Sequence, residues 1–130
     1  MAQISPTFEM VMLSGPFSGH RRVLSQTGQL MIGRKIEFAV GEYLSFPVPR
    51  RYQFSLRWDH EQQQFLFLNN SVDITRINGE QVEFGQSRFV GDGDVVEVEC
   101  SVDVMAALGF TEDDLTCLRI GFSTVEQNDS

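Results

Sequence analysis

The chain is poor in the residues that staple or metallate small folds. It holds two cysteines, Cys100 and Cys117, and two histidines, His20 and His60. Two cysteines this far apart in sequence make no disulfide framework, and with so few histidines they match no common zinc spacing. Both fall in strand-like stretches and are read as small core hydrophobes. No metal and no other cofactor is expected. No apolar run approaches the roughly 20 residues of a membrane-spanning helix. Met1 to Phe8 lack the basic start and apolar middle of a secretory signal. The expected location is the cytoplasm, with no membrane partner.

The signatures of catalysis are missing too. His20 and His60 sit in turn regions, away from any serine or cysteine pattern that marks a nucleophile. Gly15-Pro16-Phe17-Ser18-Gly19 has glycines but neither the lysine nor the helix of a phosphate-cradling loop. Carboxylate pairs are abundant only because acidic residues are. An enzyme is not expected.

Positive charge is scarce in one half. Residues 1–79 hold eight Lys/Arg against six Asp/Glu, a balance of +2. Residues 80–130 hold two against twelve, a balance of −10, which completes the net −8. Such a chain is unsuited to nucleic acid, whose binding depends on neutralising phosphates, and equally to anionic lipid.

What is present is a single domain's worth of β-sheet. The 130 residues are 42% hydrophobic and 22% charged, ordinary for a globular domain. Period-two alternation dominates. Tyr52, Phe54, Leu56 and Trp58 are apolar, with Arg51, Gln53, Ser55 and Arg57 between them on a wet face. Val96, Val98, Cys100, Val102 and Val104 alternate with Glu97, Glu99, Ser101 and Asp103, predicting a long strand with an acidic outer face. Thr116, Leu118, Ile120 and Phe122 repeat the pattern. Phe65-Leu66-Phe67-Leu68 is a continuous apolar run, as for a strand buried on both faces. Asn78-Gly79 is a two-residue hairpin turn, and Ser14-Gly15-Pro16 and Gly91-Asp92-Gly93 are tight turns. Asp92 and Asp94 beside these glycines are turn residues. Many short strands at this spacing predict an all-β fold, a twisted two-sheet β-sandwich of about eleven strands. At most one short helical turn is expected, near residues 105–109. The sandwich is expected to span 1–125, with a frayed tail over 126–130.

Four stretches in order resemble the forkhead-associated (FHA) domain. Leu30-Met31-Ile32-Gly33-Arg34 resembles a strand ending in Gly-Arg. Val48-Pro49-Arg50-Arg51-Tyr52 lies where that family has Ser-Arg-x-His. Ser71-Val72-Asp73-Ile74-Thr75-Arg76-Ile77-Asn78-Gly79 follows the register of Ser-x-Asn-Gly-Thr-x-x-Asn-Gly, and Val90-Gly91-Asp92-Gly93-Asp94-Val95-Val96 that of Leu-x-x-Gly-Asp-x-Ile. The resemblance covers about residues 8–100. It implies an eleven-stranded sandwich with functional loops at one end that bind phosphothreonine in a partner protein. In the family, the Arg after Gly, the Ser, and the start of the Ser-x-Asn-Gly loop contact the ligand, while the His supports the loops from inside.

The candidate phosphate- or partner-binding residues are Arg34, Arg50, Ser71, Asp73 and Thr75, placed by the resemblance, with Arg51 as a compensating basic neighbour. The resemblance also shows departures. Pro49 replaces the serine and Tyr52 the histidine; Asp73 replaces an asparagine and Ile74 a glycine, and Val72 stands where a polar contact is usual. A lost hydrogen bond to a charged group costs about 1.5–3 kcal/mol, so two losses, about 3–5 kcal/mol, turn a micromolar site millimolar. The expectation is a degenerate FHA-type module that binds a protein without strict phosphothreonine dependence. The alternative is a phosphothreonine adaptor using Arg34 and its basic neighbours. A secondary docking surface is expected where apolar Leu108 and Phe110 adjoin acidic Glu112 and Asp113, suited to a basic partner segment.

Overall fold

Alternating apolar residues produce strands with one dry face, and among the described residues eleven of them stack into two sheets. The computed structural model describes residues 7–15, 17–26, 28–34, 43–99, 103, 106 and 117–125. In chain order the strands are β1 (Thr7–Met12), β2 (Arg21–Leu24), β3 (Gln29–Gly33), β4 (Tyr43–Ser45), β5 (Phe54–Asp59) and β6 (Gln64–Asn69). They continue with β7 (Ile74–Ile77), β8 (Glu80–Val82), β9 (Ser87–Val90), β10 (Val95–Glu99) and β11 (Cys117–Val125). One sheet has six strands in the order β2-β1-β11-β10-β7-β8, the other five in the order β4-β3-β5-β6-β9.

The inner faces hold the core. Phe54 and Phe67 lie with ring centroids 4.7 Å apart on adjacent strands. Phe8 crosses from the six-stranded sheet to meet Phe65 edge-on at 5.5 Å and Trp58 at 5.4 Å. Each such ring contributes about 1.5–3 kcal/mol by burial, and each aromatic pair about 0.5–1.5 kcal/mol beyond it. β1 and β11 pair antiparallel in the middle of the larger sheet, with Thr7 opposite Val125. At the other end of β11, Cys117 lies opposite Glu99, and Glu99 opposite Ile74. The connection from β10 to β11 therefore leaves and returns beside the loop before β7. The hairpin turn forms as its sequence requires: Asn78 and Gly79 both have positive φ, 51° and 85°.

Several expectations are corrected. Tyr52 is exposed, whereas Gln53 and Ser55 are buried. The reason is that the strand begins at Phe54; residues 51–52 form a turn, so the apparent alternation starts too early. Leu66 and Leu68 are only half-buried, because the outer face of the five-stranded sheet is open. The strand expected to reach Val104 ends at Glu99 as far as it is described; Cys100, Val102 and Val104 lie outside the described residues. Cys117 is on the outer face, half-buried, its thiol 3.4 Å from Glu97 Oε2, and not in the core. Burial and then Glu97 push that thiol up to about 11. The acidic outer face is locally neutralised: Arg76 bonds Glu99 at 2.9 Å and Arg119 reaches Glu97 at 3.7 Å. Asp103 and Ala106 are helical; the rest of the expected turn near 105–109 and the tail 126–130 lie outside the described residues.

Candidate functional site

Three connections meet at the end of the sandwich where β3 stops and β7 starts. Arg34 follows β3, residues 46–53 join β4 to β5, and residues 70–73 join β6 to β7. Backbone bonds lash them together. Arg34 N donates to Arg50 O at 2.8 Å, Gln53 N to Ile32 O at 3.0 Å, and Asn70 N to Gln53 O at 3.2 Å. Asn69, itself buried, braces the last loop from below. Its amide donates to Val82 O at 2.9 Å and its oxygen accepts from Ser71 N at 3.0 Å.

Gln53 is the hub. Its Nε2 donates to Ser71 Oγ at 3.0 Å and to Asp73 Oδ2 at 3.1 Å, while its Oε1 accepts from Arg50 N at 3.0 Å. One buried amide thus links two loops. Ser71 Oγ accepts from Asp73 N at 2.9 Å and donates to Asp73 Oδ2 at 3.1 Å. Thr75, also buried, donates to Asp73 O at 3.1 Å. Ser71 and Thr75 are turned inward and hold the loop's shape.

Asp73 receives the remaining donor set. Arg50 grips it with two bonds, Nε to Oδ2 at 3.1 Å and Nη2 to Oδ1 at 2.9 Å. The Asp73 side chain is only 9% exposed, that of Arg50 49%. Burial pushes the Asp73 carboxyl up, but hydrogen bonds from Arg50, Gln53 and Ser71, with the Arg50 charge, outweigh it and hold the group below its ordinary value. A fork–fork guanidinium–carboxylate pair is the geometry with which arginine also grips phosphate. Here the anion comes from the chain itself.

The fold thus brings Arg34, Arg50, Ser71, Asp73 and Thr75 into one connected cluster, with Arg51 exposed at the adjacent turn. Val72 projects from it, 78% exposed. Leu108, Phe110, Glu112 and Asp113 lie outside the described residues. Sequence reasoning missed Gln53, assigning it to a wet face. The available signal was its spacing: Gln53 stands three residues after Arg50, as the histidine does after the serine in Ser-Arg-x-His. Inside support comes from Gln53, and Tyr52, expected to fill the core, points outward.

Among the described residues no group of His, Cys, Asp and Glu could hold a metal ion, and no helix is long and apolar enough to cross a membrane. Asp92 and Asp94 serve the turns near them. Asp94 accepts from Gly91 N at 2.7 Å and from Asn78 Nδ2 at 2.8 Å, and Asp92 from Thr124 N at 2.8 Å.

No family model and no curated protein matches the sequence. Solved structures match its shape. An FHA domain from Arabidopsis thaliana superposes with a TM-score of 0.66 at 15% identity, over 100% of this chain and 95% of that one. The N-terminal FHA domain of Saccharomyces cerevisiae Rad53p, solved with a phosphothreonine peptide, gives 0.61 at 17% identity over 92% and 94%. The yeast Pml1 splicing factor gives 0.64 at 14% identity over 97% and 86%. The fold is that of an FHA domain.

Proposed function

We propose that the chain is a protein-interaction module of FHA type whose loop end does not depend on phosphothreonine. The observation that carries this reading is the bidentate pair of Arg50 with Asp73. A phosphate brings about −1.5 to −2 charge and needs an arginine and fixed donors. At this end Arg50 is held by a carboxylate, and an incoming phosphate would meet that carboxylate's charge. Neither Pro49 nor Arg50 supplies the hydroxyl of the family's serine, and Val72 supplies no polar contact. Together these losses weigh about 3–5 kcal/mol, enough to lift a micromolar dissociation constant to millimolar.

The test is titration with a phosphothreonine peptide library, each peptide matched to its unphosphorylated form. Affinities within about threefold across each pair support the reading, a difference under 1 kcal/mol. Micromolar binding that vanishes on dephosphorylation and in Arg34→Ala overturns it. That outcome establishes the second reading, a phosphothreonine adaptor, which draws support from the fold shared with the Rad53p domain.

A further inference from the structure

The outer face of the five-stranded sheet presents two cross-strand rows. Register places Gln29, Arg57, Leu66 and Phe89 in one row, and Met31, Ser55, Leu68 and Ser87 in the next. A cavity of about 110 Å³ opens between them, lined by Gln29, Ser55, Arg57, Leu66, Leu68 and Ser87. Three properties set it apart. Its four polar side chains, Gln29, Ser55, Arg57 and Ser87, make no side-chain hydrogen bond or ion pair among the described residues. One of them, Ser55, is only 2% exposed and borders the cavity. Lastly, no residue in either row is acidic and Arg57 is the one charge they carry; Asp59 stands in the adjoining row, opposite Gln64.

Donors without partners beside apolar walls describe a receptor for an anion carried on an apolar stem. We infer that this face docks an extended segment of a partner protein and takes one of its Asp or Glu side chains against Arg57. The inference rests on the reading of the chain as an interaction module and names the surface it uses. Size favours a side chain over a free ligand. Small-molecule pockets run to about 300–1,000 Å³, whereas this cavity of about 110 Å³ falls below that range and suits a carboxylate and its methylenes. A single arginine with leucine walls matches one carboxylate charge better than a phosphate dianion. Phe89, 43% exposed beside Leu66, offers the apolar contact next to it. It stands on β9, an edge strand, along which an extended segment can add backbone bonds.

The test is selection of random displayed heptapeptides on the 130-residue protein and, in parallel, on Arg57→Ala and Arg50→Ala. The expected result is Asp or Glu enriched at one position beside apolar residues. The synthetic peptide then binds the protein and Arg50→Ala alike, and at least about tenfold more weakly to Arg57→Ala or when its acid becomes the amide. Ser87→Asp, a second exposed change, gives the same loss, with melting temperatures confirming that both variants fold. No acidic enrichment, or peptides that bind Arg57→Ala equally, overturns the inference. So does N-acetylglutamate binding as tightly as the peptide, or self-association abolished by Arg57→Ala, which makes a second copy the occupant. Peptides lost only in Arg50→Ala overturn this surface and leave the module reading standing. Phosphothreonine dependence at the loop end overturns only the phosphate-independent reading there, and the acidic-peptide selection still decides this surface.

Discussion

The loop end and the open sheet face are built from the same residue types and treat them oppositely. At the loop end an arginine, a glutamine, a serine and an aspartate bond one another, and the charge is cancelled within the chain. On the sheet face an arginine, a glutamine and two serines line one cavity without side-chain partners among the described residues. A buried polar network that is fully satisfied fixes shape, whereas donors left without partners are available to a ligand. The end where the fold family is expected to read its ligand is thus the self-satisfied region here.

Breaking the hub tests the contrast most severely. Gln53→Leu removes two donors and one acceptor and strands buried partners, so it should cost about 2–4 kcal/mol in chemical denaturation. Ser55→Ala, a comparably buried change on the other side, should move stability by less than about 0.5 kcal/mol, because its side chain borders the cavity and makes no side-chain hydrogen bond among the described residues. Equal costs would erase the distinction. Next in size, Arg50→Ala leaves Asp73 largely buried without its counter-ion. The expected loss is about 1–2 kcal/mol, scaled down from a fully buried pair because Arg50 is half exposed. A double-mutant cycle with Asp73→Asn should return most of that as coupling.

Acid sharpens the same comparison. The folded Asp73 pKa lies below the unfolded value of about 3.9, so the unfolded state binds more protons in the interval between them. Its stabilisation is complete above about pH 4 and drains away as pH falls through the lower folded value. Melts from pH 6 downward should show Asp73→Asn losing less stability than the parent over that interval. The smallest effect is expected at Arg57→Ala, within about 0.5 kcal/mol of the parent, since an exposed unpaired side chain contributes little to folding. Away from both regions, the Cys117 thiol at about 11 should react with thiol reagents at pH 8 far more slowly than an ordinary cysteine.

The strands were legible because alternation and turn chemistry are local. Asn78-Gly79 announces its own φ values, and Val96 to Val98 or Leu118 to Phe122 declare which face is dry. Gln53 was not legible as buried. Its burial depends on Ser71 and Asp73, 18 and 20 positions away, and no local pattern encodes that meeting. The run from Phe65 to Leu68 misled in the opposite sense. Continuous apolarity signals two covered faces, but here the outer pair stays half-exposed around the cavity. Asp73 was legible as a departure from the FHA pattern; that Arg50 would be the group to neutralise it required the fold.

The pairing of Thr7 with Val125 has a practical reach of its own. The two described termini stand side by side in the larger sheet, at the pole opposite the loops. A short bridge between them, with the chain reopened at the exposed turn of residues 60–63, yields a circular permutant that keeps every strand of both sheets. By the same geometry, an anchor or fluorophore attached beside Thr7 or Val125 holds the module by its back and leaves the loop pole facing outward.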